Sequence, residues 1–124
     1  GKNFKTYIKS KTLPIIIAMI ENKEALKNIE NILKVKNLDC ILIGPYDLSA
    51  SMGVPGKFNN LKFKNAIKLI KLKCKKNKIP CGLHLIEPNY NKLKKLSKEG
   101  FNFIPYSTDA YIMNNAVENM FKRK

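Results

Sequence analysis

Four times along the 124-residue chain a continuous apolar run is followed by a stretch in which apolar residues recur at three- and four-residue intervals. Leu13 to Ile20 (LPIIIAMI) is the first run, unbroken and β-branched, which is the pattern of a strand covered on both faces. Asn22 can cap the helix that follows, where Ala25, Leu26, Ile29, Ile32 and Leu33 share one stripe. Cys40 to Ile43 forms the second strand, and Phe63, Ala66, Ile67, Ile70 and Cys74 define the inner face of its helix, with lysines opposite. Ile79 to Ile86 (IPCGLHLI) predicts a third strand; Leu93 and Leu96 mark the short helix after it, with Gly100 as its left-handed stop. Phe101 to Pro105 predicts the fourth strand, and Asp109 is expected to cap a last helix whose Ile112, Met113, Ala116, Val117, Met120 and Phe121 face inward.

Strand and helix alternate without hairpin signals, so the strands run parallel through right-handed crossovers and the class is α/β. The length suits one domain with a real core, and no linker or low-complexity tract divides it, so residues 1–124 read as a single unit. That length is about half of what eight strands and eight helices need to close a barrel. The opening Gly1-Lys2-Asn3-Phe4-Lys5 has neither an initiator methionine nor the apolar core of a signal peptide. The expectation is therefore a chain that begins within something longer, with Gly1 to Ser10 as the tail of a preceding helix.

In a parallel sheet the C-terminal strand ends gather at one rim, where α/β folds build their sites. The predicted rim carries Glu21 after the first strand, Asp47 after the second, His84 and Glu87 on the third, and Ser107 and Asp109 after the fourth. The chain has nine acidic residues against 24 cations, so four acids at one rim of a protein of net charge +15 is a concentrated placement.

The positive charge changes this picture little. All of the cations but Arg123 are lysine, whereas base and phosphate readout favours the bidentate fork of arginine. The lysines read as solvated helix faces, and nucleic acid is not the expected partner. No apolar run approaches the roughly 18 residues that span a bilayer, so no membrane is expected either. Cys40, Cys74 and Cys81 are odd in number, lie among apolar residues and lack C-x-x-C spacing, which predicts buried reduced thiols and a cytoplasmic location.

Two carboxylates from neighbouring strand ends, Glu21 and Asp47, suit a hard divalent cation such as Mg²⁺ or Mn²⁺, which takes oxygen ligands and leaves positions for water or substrate. Each acid taken singly could equally cap the helix after it, favoured by the helix dipole. His84, the one histidine, stands in an apolar strand, where a hydrogen-bonded core role competes with a site role. The stretch Gly53-Val54-Pro55-Gly56-Lys57-Phe58 is not a phosphate loop, because Ser51 stands where its first glycine belongs and Phe58 where its Ser/Thr belongs. No serine sits in a G-x-S-x-G elbow, and no paired Cys/His spacing suits zinc.

Met19-Ile20-Glu21-Asn22, then Ile43-Gly44-Pro45-Tyr46-Asp47-Leu48-Ser49-Ala50-Ser51-Met52-Gly53, then Gly82-Leu83-His84 together resemble the HpcH/HpaI aldolases, a family of metal-dependent class II pyruvate aldolases. Gly-Pro-x-Asp-Leu-Ser is the most specific element, and the resemblance runs from about Pro14 to about Met120. It implies a (β/α)₈ barrel of the phosphoenolpyruvate/pyruvate-binding type, of which this chain is about four βα units, the C-terminal half. The implied reaction is reversible cleavage of a 2-keto-3-deoxy or 4-hydroxy-2-oxo acid to pyruvate and an aldehyde through a metal-stabilised enolate. Glu21 and Asp47 match the family's metal ligands, for Mg²⁺ or Mn²⁺, with Co²⁺ also fitting. The backbone N–H groups of Tyr46 and Asp47 match those that hold the pyruvate carboxylate, and His84 falls in the lining of the aldehyde pocket. Met19 occupies a substrate-binding position where several members carry glutamine, and a thioether cannot make that hydrogen bond. The family's catalytic histidine base and substrate-binding arginine belong to the N-terminal half, so this chain carries no catalytic residue of its own and is expected to be inactive alone. A full-length homo-oligomer is expected. Alternatives within this reading are a citryl- or malyl-CoA lyase on the same scaffold, and a non-catalytic fragment that binds partners through its lysines.

Overall fold

The computed structural model describes residues 14–122. The expected helical tail at Gly1 to Ser10 and Leu13 lie outside them, but the first strand begins at Ile17, and with Ile15, Ile16, Ile17 and Met19 exposed it is not covered on both faces by described residues as expected. Three parallel strands form the sheet in the order β1 (Ile17–Ile20), β2 (Cys40–Ile43) and β3 (Cys81–Leu83). Their register pairs Ile20 with Ile43 and Ile43 with Leu83, which brings the three strand ends level at one rim. All four residues of β2 are buried, as expected of a central strand in an α/β sheet.

The helices are α1 (Lys23–Lys27), α2 (Ile29–Ile32), α3 (Pro45–Ser51), α4 (Leu61–Lys76), α5 (Tyr90–Lys98) and α6 (Asp109–Phe121). Asn22 caps α1, accepting from the Ala25 N–H at 2.7 Å. The single helix expected after it is two short ones, broken at Asn28, whose side chain accepts from the Asn31 amide rather than from a backbone N–H. Ile29 and Leu33 are still delivered to the core. On α4 the predicted inner face holds: Phe63, Ala66, Ile70 and Cys74 are buried. Lys73 of α4 forms an ion pair with Glu30 of α2 that holds the Glu30 carboxyl below its ordinary range. A carboxyl lowered in this way contributes stability above its ordinary range and loses it as the pH falls through its folded value.

The core joins β1, β2 and β3 through Ile20, Ile41, Ile43 and Cys81 to Leu48, Phe63, Ile70 and Phe101. All three cysteines are free and buried. Burial raises Cys40, and a hydrogen bond with Cys74 together with burial raises Cys81, keeping these thiols protonated.

Two expectations need correction at the C-terminal end. The fourth strand, Phe101 to Pro105, is not a regular strand but a hydrogen-bonded run beside β3, with bridges Gly82 to Phe103 and Leu85 to Tyr106. Leu83 and Leu85 donate to the carbonyls of Phe103 and Pro105, and Leu85 in turn accepts from Ser107. By the same alternation Leu83 would accept from residue 105, which is proline and has no N–H, so the ladder is interrupted there. For this reason the third strand also ends at Leu83 instead of Ile86, although hydrogen bonding continues to Leu85.

The second correction concerns α6. Its cap is Thr108, which accepts from the Tyr111 N–H at 3.2 Å, while Asp109 is the first helical residue. Ile112, Met113, Val117, Met120 and Phe121 are exposed, with Met120 and Phe121 each 81% accessible. The apolar stripe exists as the periodicity predicted. No described element covers it.

Candidate functional site

The rim is built around Gly44. This residue follows β2, and the chain passes there into α3, a short helix that the apolar periodicity did not signal. Gly44 is its N-cap and Pro45 its first residue, a position where proline's missing N–H costs nothing. Asp47 thus falls in the first turn of α3, exposed, beside the positive end of the helix dipole. Among the described residues the N–H groups of Tyr46 and Asp47 donate to no backbone or side-chain acceptor, whereas the next, on Leu48, closes on the Gly44 carbonyl at 3.0 Å.

Glu21 approaches from β1. A β-carbon added at Gly44 would stand 3.3 Å from the Glu21 Cβ and 3.4 Å from the Met19 Sδ, so these two side chains lie against the glycine. Met19, Glu21 and Gly44 are therefore packed together, with Asp47 three residues further along. Glu21 follows β1 and Asp47 lies in the first turn of α3 after β2, so the two acids stand after two neighbouring strands. Both are solvent-accessible, and among the described residues no third histidine, cysteine or acid joins them in a metal-binding cluster. Two hard oxygen donors with open positions fit a cation such as Mg²⁺, which keeps several waters or substrate oxygens.

His84 occupies the opposite part of the rim. Its backbone N–H donates to the Ile43 carbonyl at 3.2 Å, and its Nε2 lies 3.3 Å from the Ser107 carbonyl. It is half-buried and lines a large groove together with Tyr46, to which neither Glu21 nor Asp47 contributes. Ser107 adopts a left-handed backbone with φ of 72°. Its hydroxyl is buried without a hydrogen-bond partner among the described residues.

The sequence reading missed the serines that hold α3. Ser49, fully buried, donates to the Tyr46 carbonyl at 2.8 Å and accepts from the Gly56 N–H at 3.0 Å, tying the helix to the loop beyond it. Ser51 donates to the Leu48 carbonyl at 2.9 Å and accepts from the Lys23 N–H at 3.1 Å, linking α3 to the start of α1. Tyr46 is steadied from outside by Phe58, edge-on at 5.0 Å, which in turn meets Phe63 at 5.4 Å. Serines two apart in a polar segment carry no periodic signal; only their place just after the acid marked them. Ser49→Ala leaves the Gly56 N–H without its acceptor and is expected to lower unfolding stability by about 1–3 kcal/mol. Urea denaturation monitored by circular dichroism measures that loss.

The family model for HpcH/HpaI aldolase/citrate lyase matches residues 5–116. The chain belongs to this family. It is 33% identical over 101 residues to a hydroxypyruvate/pyruvate aldolase of Sagittula stellata, a match covering 82% of this chain and 39% of that protein. It is 29% identical over 110 residues to a 2-keto-3-deoxy-L-rhamnonate aldolase of Salmonella paratyphi A, covering 86% and 40% respectively. The crystal structure of an HpcH/HpaI aldolase from Desulfitobacterium hafniense superposes with a TM-score of 0.77 at 18% identity, covering 100% of this chain and 54% of the other. This HpcH/HpaI chain therefore spans about 40% of the length of these two curated aldolases.

Proposed function

We propose that the chain is about four βα units of a (β/α)₈ barrel, contributing the metal and keto-acid side of an aldolase that cleaves a 2-keto-3-deoxy or 4-hydroxy-2-oxo acid to pyruvate and an aldehyde. What supports the reading is that Glu21, packed against Gly44, and Asp47, in the first turn of α3, follow two paired strands in a member of the HpcH/HpaI aldolase/citrate lyase family. Glu21 and Asp47 hold the divalent cation, Mg²⁺ or Mn²⁺. When bound, that cation supplies Lewis-acid polarisation of the substrate's carboxylate and keto oxygens. The N–H groups of Tyr46 and Asp47, unpaired among the described residues, orient the substrate carboxylate by hydrogen bonding. Met19 covers the same substrate with an apolar surface, and His84 lines the approach of the aldehyde. The general base and a cationic partner for the developing negative charge come from the remainder of a family-length barrel. That full-length protein is a homo-oligomer.

The test is release of pyruvate, coupled to NADH oxidation by lactate dehydrogenase, from 2-keto-3-deoxy acids by the family-length protein carrying this chain. Activity that requires Mg²⁺ or Mn²⁺ and disappears with a chelator is expected; none with any divalent cation would remove the aldolase reading. His84→Ala is expected to change relative rates among aldehydes in the condensation direction while leaving cation affinity unchanged. Identical aldehyde preferences in variant and parent would remove the role given to His84.

A further inference from the structure

Two unfavourable features meet at Ser107. It is a non-glycine residue with a left-handed backbone, φ of 72°, and its buried hydroxyl has no hydrogen-bond partner among the described residues. Each is uncommon in a folded chain, and backbone strain of this kind gathers at functional sites, where the surroundings hold it in place. Here the Ser107 N–H donates to the Leu85 carbonyl at 2.7 Å. The next residue, Thr108, caps α6, its hydroxyl accepting from the Tyr111 N–H and its carbonyl from the Ile112 N–H. Ser107 is thus pinned between the run beside β3 and a helix end, and its carbonyl lies 3.3 Å from Nε2 of His84.

A carbonyl oxygen only accepts, so this contact is a hydrogen bond when the proton is on Nε2. In the neutral imidazole Nδ1 then has no proton and is an acceptor. Nδ1 has no protein partner among the described residues, and the side-chain atom that is both buried and unpaired there is the Ser107 hydroxyl. Nδ1 is therefore open to solvent, on a residue that lines the groove together with Tyr46, Leu85 and Ile86. The backbone beneath the ring is fixed as well, with the His84 N–H on the Ile43 carbonyl at 3.2 Å and the Leu85 N–H on the Pro105 carbonyl at 3.0 Å.

We propose that the Ser107 carbonyl holds His84 in the Nε2–H tautomer, so that Nδ1 accepts a hydrogen bond from a hydroxyl group of the aldehyde partner. Ser107 is the positioning residue and His84 the residue that reads the substrate. The identity of the ligand rests on the aldolase reading, whereas the tautomer is independent of it. An aldehyde with a hydroxyl beside its carbonyl gains one neutral hydrogen bond that its deoxy counterpart cannot make. Because Nδ1 is open to water, the expected discrimination is modest, roughly tenfold in kcat/KM.

His84 is the one histidine of the chain, so its ring nitrogens give an unambiguous pair of resonances. Long-range proton–nitrogen correlation spectra of the 124-residue chain, in alkaline buffer that keeps imidazole neutral, are expected to show a protonated Nε2 and a bare Nδ1. Ser107→Gly, which takes the same φ without strain, is expected to keep that pattern. Ser107→Val disfavours a positive φ, turns the carbonyl away and is expected to give a mixture of tautomers. A proton on Nδ1 in the parent chain overturns the proposal, and so does an unchanged pattern in a Ser107→Val chain that circular dichroism shows to be folded. If Ser107→Val unfolds, the parent and Ser107→Gly spectra decide. In the family-length protein, condensation of pyruvate with glycolaldehyde is expected to exceed that with acetaldehyde by about tenfold, and His84→Phe, which keeps a ring and loses the acceptor, to level the two. A preference that survives His84→Phe overturns the reading of the hydroxyl by Nδ1. No condensation with either aldehyde removes the aldolase reading and the aldehyde as ligand, while the spectra still decide the role of Ser107.

Discussion

Glu21→Gln and Asp47→Asn are each expected to weaken Mn²⁺ binding at least about a hundredfold. That floor follows from the 10–100-fold cost of losing even an outer partner of a metal ligand, since these residues are read as direct ligands. The amides keep the size of the carboxylates and remove the charge. Both positions are exposed at the rim, so stability should change by less than about 0.5 kcal/mol. Isothermal calorimetry on each variant separates the two effects, and pyruvate formation by the family-length protein should fall with cation affinity. Undiminished binding in both variants would return the acids to the alternative of helix-terminal residues favoured by the dipole.

The second large effect is expected from Gly82→Ala, for a purely steric reason. A β-carbon at Gly82 would stand 2.4 Å from the Phe103 carbonyl oxygen, with the Phe103 ring carbon Cδ1 at 3.1 Å. The obstacle is backbone, so it cannot be relieved by a side-chain rotation. Either β3 moves or the run from Phe101 to Tyr106 detaches, and both disturb the bond from Leu83 to Phe103. The cost should lie at the upper end of the roughly 1–3 kcal/mol typical of overpacking. Chemical denaturation gives the stability. Because Ser107 follows this run and receives His84, the imidazole resonance should shift in the same variant; an unshifted resonance with full stability would contradict the geometry.

Much of the fold was legible because continuous apolar runs, helix stripes and strand ends are local properties of a covered parallel sheet. Cys40 to Ile43 became β2 residue for residue, and Asn22 and Gly100 took the cap positions read for them. What periodicity misses is what lies opposite a pattern. The stripe on α6 was correctly read as apolar, but no pattern within a helix tells which surface covers it. The helix α3 was missed because Tyr46-Asp47-Leu48-Ser49-Ala50-Ser51 has no apolar stripe, although Pro45 was a usable start signal. Pro105 was likewise visible, and its lost donor is what leaves the fourth run short of a strand. At the rim the residue types and their neighbouring strands could be read from the sequence. The part played by Gly44 needed three dimensions, since it depends on a glycine of one strand lying beneath two side chains of another.

That contact about Gly44 also bears on folding. Glu21 follows β1 directly and Asp47 follows β2, so the spacing of the two acids is governed by the Ile20 to Ile43 pairing and not by a mobile loop. An ion gripped by both would act as a clasp between strands whose paired residues, Ile17 and Cys40, lie 23 positions apart, 40 − 17. Ligand concentration and thermal resistance would then be linked, because whatever binds only the folded chain raises its melting temperature. The sheet and any ion so held should be lost in one transition.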